Sequence, residues 1–130
     1  MTEFVQYFIE CKNKTIIIYE EKIEEINENY KKIIEQEFIN NLITYEGRKE
    51  AIIKRWGLMY NTPILINDKI CFIKINDNIW VNYFKIEKIT KESYIYLSGG
   101  GYIQSNIKYR SLKKKIEKIE DILAELKIKK

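Results

Sequence analysis

Apolar and polar positions divide this chain into regions of different period. Phe4 to Glu10 and Lys14 to Glu20 read as two short strands, with Cys11-Lys12-Asn13 as the hairpin turn between them. Residues 21–43 switch to helical spacing, with Ile23, Ile26, Tyr30, Ile33 and Ile34 at intervals of three and four and charges between them. The pattern drifts at Phe38, which predicts a break near Asn40-Asn41. A second short helix is predicted after Gly47, with Ala51, Ile52 and Trp56 on one side and Gly57 as its stop. From Pro63 the chain reads as strands: Pro63 to Ile66, Ile70 to Ile75, Ile79 to Ile89 and Ser93 to Ser98, rich in isoleucine, tyrosine and phenylalanine. Asn67-Asp68 and Asn76-Asp77-Asn78 supply turns, and Gly99-Gly100-Gly101 returns the chain into Tyr102 to Asn106.

The last segment is helical. Leu112, Ile116, Ile119, Leu123 and Leu126 alternate by four and three and form one narrow apolar seam. Two heptads are too few for a coiled coil, so the seam either docks on the sheet or pairs two subunits. The expected fold is α+β: a mostly antiparallel sheet, an N-terminal helical segment, and a C-terminal amphipathic helix docked on the sheet. With one proline, no internal repeat and no low-complexity linker, residues 1–130 read as a single domain.

Charge changes the picture. Residues 1–45 hold 9 acids and 5 bases, whereas residues 46–130 hold 18 bases and 10 acids. The formal net charge is only +4, but the asymmetry predicts a basic face from the C-terminal two thirds. AT-rich coding would also supply this lysine and isoleucine. The two cysteines, Cys11 and Cys71, lie in apolar strand-like runs and read as buried free thiols of a reducing compartment. The chain has no histidine, which removes the commonest general base and metal ligand. No stretch reaches the ~20 apolar residues of a membrane span. Met1-Thr2-Glu3 lacks the features of a signal peptide, so a soluble cytoplasmic location is expected.

Enzyme chemistry finds little support, and no cofactor is expected. Glu20, Glu21, Glu24, Glu25 and Glu28 read as the solvated front of the first helix. Gly99-Gly100-Gly101 lacks the Lys-Ser or Lys-Thr of a phosphate-binding loop, and Ser98, Ser105 and Ser111 have no histidine to activate them. Two basic clusters stand out instead: Arg48, Lys49, Lys54 and Arg55, and Lys108, Arg110, Lys113, Lys114 and Lys115. Lys113 to Lys115 fall where the last helix should begin, and cations there oppose its dipole while favouring an anionic partner. Asn82, Gln104 and Asn106 are candidate readers of base edges. Trp56 and Trp80 read as core or rim aromatics rather than stacking platforms.

Three segments carry a family resemblance. The first is Tyr45-Glu46-Gly47-Arg48-Lys49 followed by Asn61-Thr62-Pro63-Ile64-Leu65-Ile66. The second is Asp77-Asn78-Ile79-Trp80-Val81-Asn82 with Ile86-Glu87-Lys88-Ile89 behind it. The third is Tyr94 to Leu112, a strand, a tight turn, a strand and a helix start at Tyr109 and Ser111. Together they resemble the competence transcription factor (ComK-type) family. The resemblance implies a DNA-binding regulator acting as an oligomer on AT-rich duplex DNA through the minor groove, with Arg48 and Lys49 as its basic pair. The chain departs from the pattern at Cys71 to Ile75, which holds no proline, and at Ile64, where a second proline is usual. Family members also continue past the last helix. Binding without activation, a short regulator, and lost DNA binding are the expectations this leaves open. A small inhibitor or adaptor that contacts proteins through the acidic first helix is the alternative of a different class.

Overall fold

The structure, a computed structural model, describes residues 1–57 and 61–130. Strands β1 (Val5–Glu10) and β2 (Thr15–Tyr19) form an antiparallel hairpin, closed where the Cys11 N–H donates to the Lys14 carbonyl at 3.0 Å. The segment expected to start a helix is instead strand β3 (Ile23–Ile26), paired antiparallel with β2. A three-residue interval fits a helical stripe, but in a strand it puts Ile23 and Ile26 on opposite faces, and Ile23 is 72% exposed. Pairing along the free edge of β2 outweighs that pattern. The acids expected at a helix front therefore lie on this edge strand and its turns, where Glu25 pairs with Lys14 at 3.0 Å and Glu24 with Lys22 at 3.7 Å.

Helix α1 (Tyr30–Asn40) starts only where Asn29 caps it, accepting from the Lys31 N–H at 2.9 Å. It ends at Asn41, followed by Leu42 with φ of 60°, at the predicted break. Helix α2 (Tyr45–Trp56) begins just before Gly47 and stops at Gly57, whose φ is 90°. The Thr44 hydroxyl caps its start, accepting from the Gly47 N–H at 3.1 Å. A Cβ at Gly47 would lie 2.6 Å from that oxygen, so glycine lets the cap close.

Strands β4 (Ile64–Leu65), β5 (Cys71–Asn76) and β6 (Ile79–Asn82) complete a six-stranded sheet of order β3-β2-β1-β6-β5-β4. The run from Ile79 to Ile89 is not one strand. A 3-10 turn at Tyr83–Lys85 diverts it into β7 (Ile86–Ile89), which joins β8 (Tyr94–Leu97) and β9 (Tyr102–Gln104) in a second, three-stranded sheet. Every strand pairing is antiparallel. Helix α3 (Tyr109–Glu125) closes the described fold, which is α+β as expected.

The large sheet is covered on both faces, which is why β5 reads as an almost unbroken apolar run. Phe8, Ile17, Phe72 and Trp80 pack with Ile34 and Phe38 of α1, and the Phe8 and Phe72 rings meet edge to face at 4.8 Å. Cys71, Ile73, Ile75 and Val81 point the other way, against Ile95, Leu97 and Ile103 of the small sheet and Leu112, Ile119 and Leu123 of α3. Leu112, Ile119 and Leu123 of the α3 seam are thus spent on docking, while Leu126 at its end is 42% exposed. Cys71 is buried and its thiol is pushed up to about 12 by desolvation. Cys11 is only half-buried, because it lies in the β1–β2 turn rather than in a strand.

Candidate nucleic-acid interface

The start of α3 collects the more exposed of the two basic clusters. The helix begins earlier than its seam implied, with Lys108 at the N-cap position and Arg110 in the first turn. Lys113 to Lys115 therefore lie one turn further in than expected, and the dipole conflict falls mainly on Lys108 and Arg110. Among the described residues no side chain caps this helix, and neither an acid in its first turn nor a base in its last relieves the dipole. Successive residues are about 100° apart on a helix, so Arg110, Lys113 and Lys114 share the face opposite Leu112 and Ile119. All three are exposed, as is Lys108, and among the described residues none of the four has an ion-pair partner. Beyond Lys114 the outward residues turn acidic, at Glu117, Glu120 and Asp121.

Hydrogen bonds fix where this patch sits. The Ser105 hydroxyl donates to the Ile75 carbonyl at 2.6 Å and accepts from the Ile107 N–H at 3.0 Å. The Ser93 hydroxyl donates to the Ile107 carbonyl at 2.7 Å. Asn76 accepts from the Asn106 N–H at 2.6 Å and donates to the Gln104 carbonyl at 3.3 Å. The backbone feeding α3 is thereby tied to β5 and to the β7–β8 turn. The Gln104 and Asn106 side chains remain exposed, four and two residues before Lys108. A recess of about 200 Å³, lined by Asn61, Lys74, Asn76, Asp77, Asn106 and Ile107, opens at the same place. Ser93, Ser105 and Asn76 position this backbone, a role that no sequence motif marks. Each is a short polar side chain at a strand end, which was the available signal.

Lys115 differs from its neighbours. It flanks the apolar seam, is half-buried, and donates to the Lys74 carbonyl at 2.8 Å. Desolvation and the nearby Lys74 ammonium lower its pKa from 10.5 to about 8. Between those two values the unfolded chain holds a proton that the folded chain has released, so this group adds stability as pH rises through that window. The raised Cys71 thiol has the opposite effect above the unfolded thiol value of 9.0. Urea midpoints at about pH 7 and about pH 9.5 should therefore be compared between the wild type and Lys115→Met. The wild type is expected to gain on the variant at the higher pH, and a constant difference would contradict the shift.

The cluster on α2 does not extend this patch. Arg55 pairs with Glu125 at the far end of α3. The helical rise from Lys113 to Glu125 places that contact ~18 Å along the axis from Lys113. Arg48 is half-buried in an apolar groove with Ile52, Trp56 and Leu126, and desolvation lowers its pKa. Lys49 is half-buried beside Lys31, Glu35 and Glu46, while Lys54 is exposed.

Asn82 is a correction. Its side chain is 0% exposed and cannot reach a base edge. It donates to the Val5 carbonyl at 3.0 Å and the Lys69 carbonyl at 3.3 Å, and accepts from the Cys71 N–H at 3.1 Å and the Phe84 N–H at 3.3 Å. Trp80 is buried too, and its indole donates to Glu10 at 2.9 Å while Lys74 pairs with the other oxygen of Glu10 at 3.3 Å. The Gly99–Gly101 turn is held by Gln6, whose amide donates to the Ser98 and Gly100 carbonyls, both at 2.9 Å. No helix among the described residues is long and apolar enough to cross a membrane.

No curated protein matches the chain. The model of the ComK protein family does, over residues 4–130, so the match takes in both sheets, all three helices and the basic start of α3. The chain belongs to the ComK family.

Proposed function

We propose that this chain is a non-catalytic transcription regulator whose single domain binds AT-rich duplex DNA through the start of α3. ComK proteins are competence transcription factors, which supports regulation by DNA binding. The observation that carries the reading is the set Lys108, Arg110, Lys113 and Lys114, exposed and without carboxylate partners among the described residues while Lys14, Lys22, Lys74, Lys85 and Arg55 all have them. Cations held against a helix dipole gain from an external polyanion, and phosphates fit both the charges and the uncapped N–H groups. A-tracts narrow the minor groove and deepen its negative potential, which favours such a basic patch over AT-rich sequence. Gln104 and Asn106 stand at its edge and would contact base edges or sugars, with Lys115 behind them. An oligomer would set two such patches on one duplex, and the cytoplasm is where such a regulator works.

The test is selection from random duplexes at about 0.15 M salt with a polyanion competitor. Enrichment of AT runs is the expected result. Recovery of GC-rich or unenriched pools would overturn the site preference. Binding that does not weaken with salt would overturn the phosphate contact itself, because neutralised phosphates release counterions.

A further inference from the structure

The outer face of the small sheet holds an aromatic row that the duplex reading does not use. Tyr96 and Tyr102 are direct cross-strand partners, and Tyr94 faces Gln104 one step along the same ladder. The Tyr102 ring lies 5.6 Å from the Tyr94 ring and 5.6 Å from the Tyr96 ring. Tyr102 is 62% exposed and Tyr96 is 40% exposed, although the opposite face of these strands is packed core. Lys88, paired with Tyr96 across the β7–β8 ladder, holds its ammonium 5.3 Å from the Tyr96 ring centre. At the other end the row reaches Gln104, and four residues further lies Lys108. Lys91 and Glu92 are exposed in the β7–β8 turn beside that end, and Glu87 is exposed on β7.

We propose that this face is a platform for single-stranded DNA, with one base stacked on Tyr102 and the next on Tyr96, where it displaces the Lys88 ammonium from the ring toward a phosphate. Tyr94 walls the row, Gln104 offers an amide to a base edge, and Lys88 and Lys108 meet phosphates at its two ends. Paired bases are stacked on one another and cannot lie on a protein ring, so a row of exposed aromatic faces selects an unpaired strand. A cation against the Tyr96 end of the row, and another four residues past Gln104, fit a ligand with flat apolar faces and an anionic backbone. Four residues of chain lead from Gln104 to Lys108 at the α3 start, so the strand that fits is one leaving a duplex held there, which favours DNA over RNA. That route rests on the duplex reading, but stacking on the tyrosines does not, and the two are measured separately.

The experiment measures anisotropy of a fluorescein-labelled oligo(dT) without any duplex, for the wild type, for Tyr96→Leu with Tyr102→Leu, and for Tyr96→Phe with Tyr102→Phe. The leucine variant is expected to bind about 30-fold or more weakly, since each stacked base contributes a several-fold factor, and the phenylalanine variant should bind like the wild type. Duplex affinity should be unchanged in both. Wild-type affinity in a leucine variant that melts normally would overturn the platform, as would tighter binding of oligo(U) than of oligo(dT). A self-association seen by sedimentation in the wild type and lost in the leucine variant, with oligo(dT) binding retained, would reassign the face to a second copy of the chain. Photocrosslinking of an oligonucleotide carrying 5-iodouracil to the wild type needs no variant. Adducts on Tyr96 or Tyr102 would support the platform and adducts confined elsewhere would refute it.

Discussion

Asn82→Ala is expected to lower the stability of the fold by about 3 kcal/mol, a fall of roughly 10 °C in Tm, while removing no group that reaches solvent. The amide joins four backbone groups from three parts of the chain: Val5 at the start of β1, Lys69 and Cys71 around the start of β5, and Phe84 in the turn that leaves the large sheet. Alanine leaves those groups without that partner in a dry site, and each buried group so exposed costs ~1–3 kcal/mol before relaxation. Asn82→Asp tests the chemistry more closely. It keeps an acceptor but puts a carboxylate where the amide donates to two carbonyls, so it should lose more stability at about pH 8 than at about pH 5, where protonation restores one donor. Thermal and urea unfolding of the two variants read this directly. A wild-type midpoint combined with weakened DNA binding would return Asn82 to the role of a reader.

The Asn82 case shows what was legible in the sequence and what was not. Local patterns survived. The β1–β2 hairpin, the Gly57 stop, the strands from Pro63 onward other than the divided run from Ile79 to Ile89, and the amphipathic α3 all rest on near-neighbour spacing and turn chemistry, which one sequence displays. Ile23 and Ile26 misled because an interval of three is compatible with a helix, and only the free edge of β2 decides otherwise. An asparagine after an apolar strand looks the same whether it faces water or staples a buried corner. The signal was its place, directly after Trp80-Val81 and before a chain reversal, where a cap is needed. Lys113, Lys114 and Lys115 look equivalent in a row, yet Lys115 lies three residues after Leu112 and flanks the seam, so a helical projection separates it from the other two. That the two basic clusters stand at opposite ends of α3 depends on how α2 docks, which no local pattern encodes.

Lys113→Glu combined with Lys114→Glu is expected to weaken duplex binding at least about 100-fold near 0.1 M salt, with the fold intact. A cation about 4 Å from a phosphate gains ~1 kcal/mol in water, and replacing it with an anion turns that gain into a comparable repulsion. Two such reversals remove some 3–4 kcal/mol, and every 1.4 kcal/mol is about tenfold in affinity. Stability should hold, because both side chains are exposed on the outward face. The slope of log affinity against log salt should also shrink by about two, one counterion for each lost phosphate contact. Lys54→Glu is the matched control. It alters an exposed lysine of similar charge on α2, at the other end of α3, and should change affinity by less than about threefold if the patch begins and ends at the α3 start. Equal losses in the two proteins would mean that DNA spans both clusters. Unchanged binding in the double variant would remove α3 from the interface and leave only the α2 cluster to hold the duplex.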